Sequence, residues 1–204
     1  MADDYYSGTY DPAAFWEGHA HEKATWEDAQ PDAPEINRLL AMVRPRSVVE
    51  LGCGPGRNVP FFSRIPYVGI DIAATYLDRA MAKHAPALSW PVRFAQGDLT
   101  FTLPERDKAA DLVFCDSTLQ HVQPEFIRWA LHEAFRLAVR WVCCIEYTEA
   151  DVVAEGERGF FEQVHVFRHD YAALAAPWGD LVWHTEVGAR VQPAKKEVFL
   201  WRKR

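Results

Sequence analysis

Val48-Val49-Glu50-Leu51-Gly52-Cys53-Gly54-Pro55-Gly56-Arg57-Asn58 is the stretch on which the reading of this chain turns. A short apolar run leads into three alternating glycines and reads as a buried strand ending in a tight loop. Glycine lets the backbone turn sharply and lets a ligand approach it closely. A helix is expected to follow over Asn58 to Ile65. The exposed N–H groups at its start would favour a negatively charged ligand group. In an open α/β sheet the binding crevice lies beyond the carboxyl ends of the strands, where this loop falls.

Outward from the loop the pattern alternates. Tyr67-Val68-Gly69-Ile70, Val92-Arg93-Phe94-Ala95, Leu112-Val113-Phe114-Cys115 and Trp141-Val142-Cys143-Cys144-Ile145 read as four further strands. Helices are expected over Ala73 to Ala85 and Pro124 to Ala138. In the second, Ile127, Leu131, Phe135 and Ala138 share one side, while Glu125, Arg128, His132 and Arg136 share another. Strand and helix alternating at this spacing predict βαβ units and a parallel sheet. The tail differs. A helix over Asp170 to Ala176 precedes Leu181-Val182-Trp183 and Glu197-Val198-Phe199-Leu200-Trp201. These two runs, with a polar link around Pro193-Ala194-Lys195, read as an antiparallel pair closing the sheet.

Ahead of the loop, a helix from Pro34 should stop at Val43, before Pro45. The first 33 residues are acidic and aromatic, with Tyr10, Phe15, Trp16 and Trp26 among them. Asp11 is a natural N-cap and Pro12 a natural first helical residue. The predicted fold class is thus α/β: one Rossmann-like three-layer domain with a mostly parallel seven-stranded sheet and an antiparallel C-terminal hairpin. Residues 1–33 are expected to form a helical lid segment on a core of residues 34–204.

The bulk composition narrows the function. The chain has 204 residues, 49% hydrophobic and 25% charged, as in a soluble globular domain. No run of the sequence is long and apolar enough to cross a bilayer, and the N-terminus has no secretion-signal pattern. No membrane partner and a cytoplasmic location are the expectation. The net charge of −7 disfavours a nucleic-acid partner. The four cysteines, Cys53, Cys115, Cys143 and Cys144, form no Cys-x-x-Cys pair, and buried reduced thiols are expected.

The glycine spacing is Gly-x-Gly-x-Gly, with Glu50 two positions ahead, rather than the Gly-x-Gly-x-x-Gly of dinucleotide-binding loops. Asp71 ends the second strand, Gly97-Asp98-Leu99 follows the third, and Asp111-Leu112-Val113-Phe114-Cys115-Asp116-Ser117-Thr118-Leu119-Gln120-His121-Val122 contains the fourth and its loop. Taken together over residues 34–146, these segments resemble the motifs of class I S-adenosylmethionine-dependent methyltransferases, in the small-molecule branch. The family usually has a glycine turn between its fourth helix and fifth strand. Leu137-Ala138-Val139-Arg140-Trp141 has none, so that turn must be built differently.

The resemblance implies S-adenosyl-L-methionine as cofactor. It implies a cofactor-binding set of Glu50, Gly52, Cys53, Gly54, Asn58, Asp71, Ile72, Asp98, Leu99, Asp116 and Ser117. Asp71 is expected to accept both ribose hydroxyls and Asp98 the adenine amine. Glu50 would orient the glycine loop or face the cofactor's ammonium, and the backbone at Asp116 and Ser117 would reach its methionine end. Methyl transfer from a sulfonium is an in-line displacement, in which the protein chiefly aligns and desolvates. A base is needed only for a protonated acceptor, and the candidates are His121, His165 and His169. Tyr10, Phe15 or Trp16 would shield the sulfonium or simply dock the helix. Asp116 and Glu146 end neighbouring strands with oxygen ligands suited to magnesium, but Gln120-His121 resembles the metal-free branch, and no metal is expected. The expected reaction is methylation of an oxygen or nitrogen of a small-molecule acceptor by a monomer or homodimer. The alternatives are a protein or RNA acceptor, a silent cofactor-binding partner subunit, and, last, a nicotinamide-dependent dehydrogenase.

Overall fold

The computed structural model describes residues 11–21, 32–84, 90–149, 166–187 and 195–204. Seven strands make one sheet: β1 (Val48–Leu51), β2 (Tyr67–Asp71), β3 (Val92–Gln96), β4 (Ala110–Asp116), β5 (Ala138–Glu149), β6 (Gly179–Glu186) and β7 (Lys195–Lys203), in the order β3-β2-β1-β4-β5-β7-β6. Strands β1 to β5 run parallel. β7 inserts antiparallel between β5 and β6, and β6 pairs antiparallel with β7, which is the expected closing hairpin. Lys195, expected in the link, is already paired in β7. The strand order reverses between β1 and β4, and the crevice such a reversal opens is where α/β sheets bind ligands.

Alternate residues of the central strands are apolar on both sides, as a sheet covered on both faces requires. On one face Val48, Leu112, Phe114, Ile145, Val198 and Leu200 pack against Ile36, Leu39 and Val43 of α2 (Ala33–Val43). On the other, Val49, Leu51, Val113, Cys144, Phe199 and Trp201 pack against α4 (Ile127–Leu137) and α5 (Tyr171–Ala175). All four cysteines are buried free thiols.

Asp11 and Pro12 begin a helix, as expected. α1 (Pro12–Ala20) begins at Asp11, whose Oδ1 accepts the Ala14 N–H at 3.2 Å. It packs on α3 (Ala74–His84) through Trp16, Ala20, Ala73 and Tyr76. Tyr10, Trp26 and the rest of residues 22–31 lie outside the described residues, and α2 begins at Ala33.

One expectation fails, and the departure after α4 finds its reason. No α-helix spans Asn58 to Ile65; only one 3-10 turn forms, Val59–Phe62. Ser63 leaves the helical region at ψ 134° and Arg64 takes a left-handed φ of 69°, so the chain turns back before a second helical turn can build. The missing glycine after α4 is explained just as directly. Leu137 ends the helix and Ala138 begins β5 with no turn between them. Ala138 has φ −74° and ψ 138°, so a change in ψ alone converts helix to strand, and no left-handed residue is required.

Candidate functional site

The glycine loop, the acid at the end of β2 and the loop after β4 come together at the carboxyl edge of the sheet. Gly52, Gly54 and Gly56 all have positive φ. At Gly52 the close approach is the stricter demand: a Cβ there would lie 2.2 Å from Cγ2 of Thr118, the second residue past the end of β4. Asp71 ties the glycine loop to the end of β2. Its Oδ2 accepts the Gly54 N–H at 2.8 Å and its Oδ1 the Ala73 N–H at 3.0 Å. Burial lifts its pKa to about 6, against the opposing pull of those two N–H groups. Each carboxylate oxygen still has a second lone pair, so the acid retains acceptor capacity for a pair of hydroxyls.

Glu50 faces inward. Its Oε1 accepts from Asn58 Nδ2 at 2.9 Å and its Oε2 from the Tyr67 hydroxyl at 2.6 Å. Burial raises its pKa to about 8, despite both donors. Asn58 spans two acids, since Nδ2 also donates to Asp116 Oδ2 at 3.2 Å. Cys53 directs its thiol against Gly69 of β2 and spends its N–H on the Ile70 carbonyl at 3.0 Å. Ile72 gives its carbonyl to Gln96 Nε2 at 2.9 Å. After β3, both Thr100 groups donate to the same oxygen of Asp98, Oδ1, at 2.8 Å each, and Leu99 packs on the core.

Asp116 is the centre of a buried charged cluster that the sequence reading missed. Arg57 donates to its Oδ2 at 2.8 Å, and Lys196 of β7 to its Oδ1 at 2.8 Å. The Lys196 ammonium also reaches Asp32 Oδ2 at 2.7 Å and Ser117 Oγ at 2.6 Å. Burial alone would raise the Asp116 pKa, but Lys196 and Arg57 overcome it and hold the carboxyl well below its usual range. Ser117, at φ 57°, turns the chain into the loop, and its N–H bonds the Ile145 carbonyl at 2.9 Å.

Glu146, at the end of β5, holds that loop from behind. Its Oε1 accepts the N–H groups of Thr118 and Leu119 at 3.1 and 3.0 Å, and its Oε2 that of Gln120 at 3.2 Å. The carboxylate therefore caps the start of the 3-10 turn Leu119–His121, a favourable place for an anion. Burial raises its pKa to about 7. Asp116 and Glu146, weighed as paired metal ligands, are thus engaged by a lysine–arginine pair and by backbone amides respectively.

Of the three histidines, His121 is at the crevice. Gln120 Nε2 lies 3.1 Å from its Nε2, and the Trp16 ring of α1 meets its ring edge-on at 4.8 Å. His169 is buried behind the loop, donating from Nε2 to the Val122 carbonyl at 2.9 Å, and burial lowers its pKa. His165 lies outside the described residues. The β2 acid, the β3 acid and the cradle formed by the glycines suit the ribose, the adenine and the methionyl part of S-adenosylmethionine in turn.

Residues 48–140 match the sequence model of a family described as a methyltransferase domain. A trans-aconitate 2-methyltransferase of Methylobacterium radiotolerans is 33% identical over 92 residues, which is 43% of this chain and 33% of that protein. A probable methyltransferase, ltbC, of Aspergillus luteorubrus is 29% identical over 119 residues, 53% of this chain and 41% of that one. The chain thus spans about a third to two fifths of the length of the curated relatives it matches. In fold it is similar to magnesium protoporphyrin IX methyltransferase from Synechocystis PCC 6803, solved with bound S-adenosylhomocysteine, at a TM-score of 0.68 and 15% identity over 94% of each chain. Residues 48–140, which hold the glycine loop and the β4 loop, thus resemble a methyltransferase domain in sequence, and the fold is the Rossmann-like one of the solved methyltransferase the chain is similar to.

Proposed function

We propose that the chain moves the methyl group of S-adenosylmethionine to an oxygen or nitrogen atom of a small molecule. One observation carries the reading. Asp71 Oδ2 accepts the Gly54 N–H at 2.8 Å beside the reversal of strand order between β1 and β4, so an acid and a glycine cradle are fixed together at the crevice.

The bound cofactor supplies an already activated methyl group, so the work of the chain is alignment and exclusion of water. Asp71 binds the ribose hydroxyls and Asp98 the adenine amine. The glycine loop lies against the methionyl part, with Glu50 and Asn58 bracing it from beneath. Asp116, Ser117 and Glu146 hold the β4 loop, and with it His121, at the place where the methyl group leaves. α1 lies across the crevice as a cover, reaching from α3 to His121 through Trp16. A small acceptor is supported by the named substrates of the relatives, trans-aconitate and magnesium protoporphyrin IX. The net charge of −7 supports it against a nucleic-acid acceptor. No described helix is long and apolar enough to cross a membrane.

Calorimetric titration with S-adenosylmethionine and S-adenosylhomocysteine, wild type against Asp71→Ala, tests the reading. Micromolar binding that the substitution abolishes is expected, and it would justify an acceptor screen with labelled methyl groups. Wild-type protein that binds neither compound would overturn the proposal.

A further inference from the structure

Gln120 is almost completely buried, and every polar group it has is committed. Its backbone N–H donates to Glu146 Oε2 at 3.2 Å, and its carbonyl accepts the Phe167 N–H at 2.7 Å. Its side-chain Oε1 accepts the Tyr147 N–H of β5 at 3.0 Å. That last bond settles which end of the amide is oxygen, because the reversed amide would set an NH2 group against a peptide N–H. The Nε2 end therefore faces His121, at 3.1 Å from its Nε2. An amide nitrogen donates and does not accept. His121 Nε2 is then the acceptor of that bond, and in the neutral ring the proton is on Nδ1.

We infer that Gln120 is a positioning residue that holds His121 as the neutral, Nδ1-protonated tautomer. In that state Nδ1 already carries the proton and the Nε2 lone pair is engaged by Gln120, so proton uptake at Nε2 requires that this bond break first. The bond from Gln120 thus disfavours His121 as the acceptor's base. This deepens the methyltransferase reading and rests on it for its consequence. The acceptor class is one whose nucleophilic atom needs no proton removed by His121, such as a carboxylate oxygen or an unprotonated nitrogen. An alcohol would lack the base that it requires.

The tautomer is measurable without cofactor or acceptor. In protein labelled with nitrogen-15 in histidine, two-bond proton–nitrogen correlations near neutral pH report which ring nitrogen is protonated, and the His121→Gln variant assigns the signals. The wild type should show Nδ1 protonated and Nε2 bare. Gln120→Glu keeps an oxygen for the Tyr147 N–H but presents a second oxygen to His121, so the proton should appear on Nε2. Gln120→Leu, a variant of similar size, should leave a mixture of both tautomers. A wild-type His121 protonated on Nε2, or a Gln120→Glu protein in which the proton stays on Nδ1 alone, would overturn the inference. Failure of the methyltransferase reading would show separately, as absence of S-adenosylmethionine binding in calorimetry with the tautomer unchanged.

Discussion

Lys196 Nζ lies 2.8 Å from Asp116 Oδ1, joining the first residues of β7 to the last residue of β4 inside the protein. The same ammonium holds Asp32 at the start of α2, so one lysine fastens three elements at the edge of the crevice. Breaking a buried pair by removing one partner leaves the other charge without compensation and costs about 3–5 kcal/mol. Lys196→Met should lower the thermal midpoint by roughly 2–4 °C for each kcal/mol lost. Adding Asp32→Leu should recover much of the loss, because the buried Asp32 carboxylate that loses its lysine is then gone, while Asp116 keeps Arg57. A Lys196→Met protein that melts with the wild type would show that the cluster contributes little.

Gly52 is constrained by conformation and by space together. Its φ is +68°, and a Cβ would lie 2.2 Å from Thr118 Cγ2 and 2.8 Å from Thr118 Cβ. Gly52→Ala should displace the β4 loop and weaken S-adenosylhomocysteine binding at least about tenfold, a change of about 1.4 kcal/mol. Removing the obstacle with Thr118→Gly in the same protein should restore part of the affinity. It should not restore all of it, since left-handed backbone still costs a residue with Cβ about 1–2 kcal/mol. Equal binding by Gly52→Ala and wild type, measured by calorimetry, would contradict this packing.

Glu50 predicts how stability should change with pH. Burial pushes its folded pKa up to about 8 from an ordinary 4.5, so folding favours the protonated acid. That contribution is fully present below pH 4.5 and is lost as pH rises through about 8. The whole span corresponds to several kcal/mol, at about 1.4 kcal/mol per pKa unit. Glu50→Gln mimics the protonated carboxyl, so the variant should gain on the wild type progressively across that window. Asp71 and Glu146, raised to about 6 and about 7, titrate in both proteins and drop out of the difference. Thermal melts in matched buffers between about pH 5 and pH 9 measure it, and parallel curves would refute it.

What the sequence shows and what it hides divide along physical lines. Strand positions were readable because each apolar run ends at a glycine or an acid, and Asp71, Asp98 and Asp116 follow those ends directly. Asn58 to Ile65 looked helical, but local pattern gives no warning that an extended Ser63 and a left-handed Arg64 end the turn early. Asp32 drew no reading from the sequence; it precedes α2 without a capping bond and turns instead to Lys196, 164 residues away. Lys196 itself sits in a polar stretch that reads as solvated surface, and only the antiparallel insertion of β7 beside β5 carries it inward. Glu146 was legible as a strand-end acid, but its three amide partners depend on where the β4 loop folds back. Pairings of this kind are set by topology, which periodicity does not encode.

α1 crosses from α3 to the β4 loop, and its two ends are held differently. At α3, Glu17 accepts from the Thr75 hydroxyl and N–H, and Arg79 donates to the Ala20 carbonyl at 3.0 Å. At the loop, the contact is Trp16 on His121, ring against ring at 4.8 Å. A cover over a bound cofactor gains contacts when the site fills, and its local opening is suppressed by the ligand's binding free energy. Amide hydrogen exchange in residues 12–20 should therefore slow when S-adenosylhomocysteine is added, while exchange at the β6 edge on the far side of the sheet stays the same. Trp16→Ala removes the loop contact and leaves the α3 contacts in place. Its α1 amides should exchange faster in the free protein and show a smaller slowing on addition of ligand. If saturating ligand leaves exchange in residues 12–20 unchanged, α1 is a fixed support of α3 and not a cover.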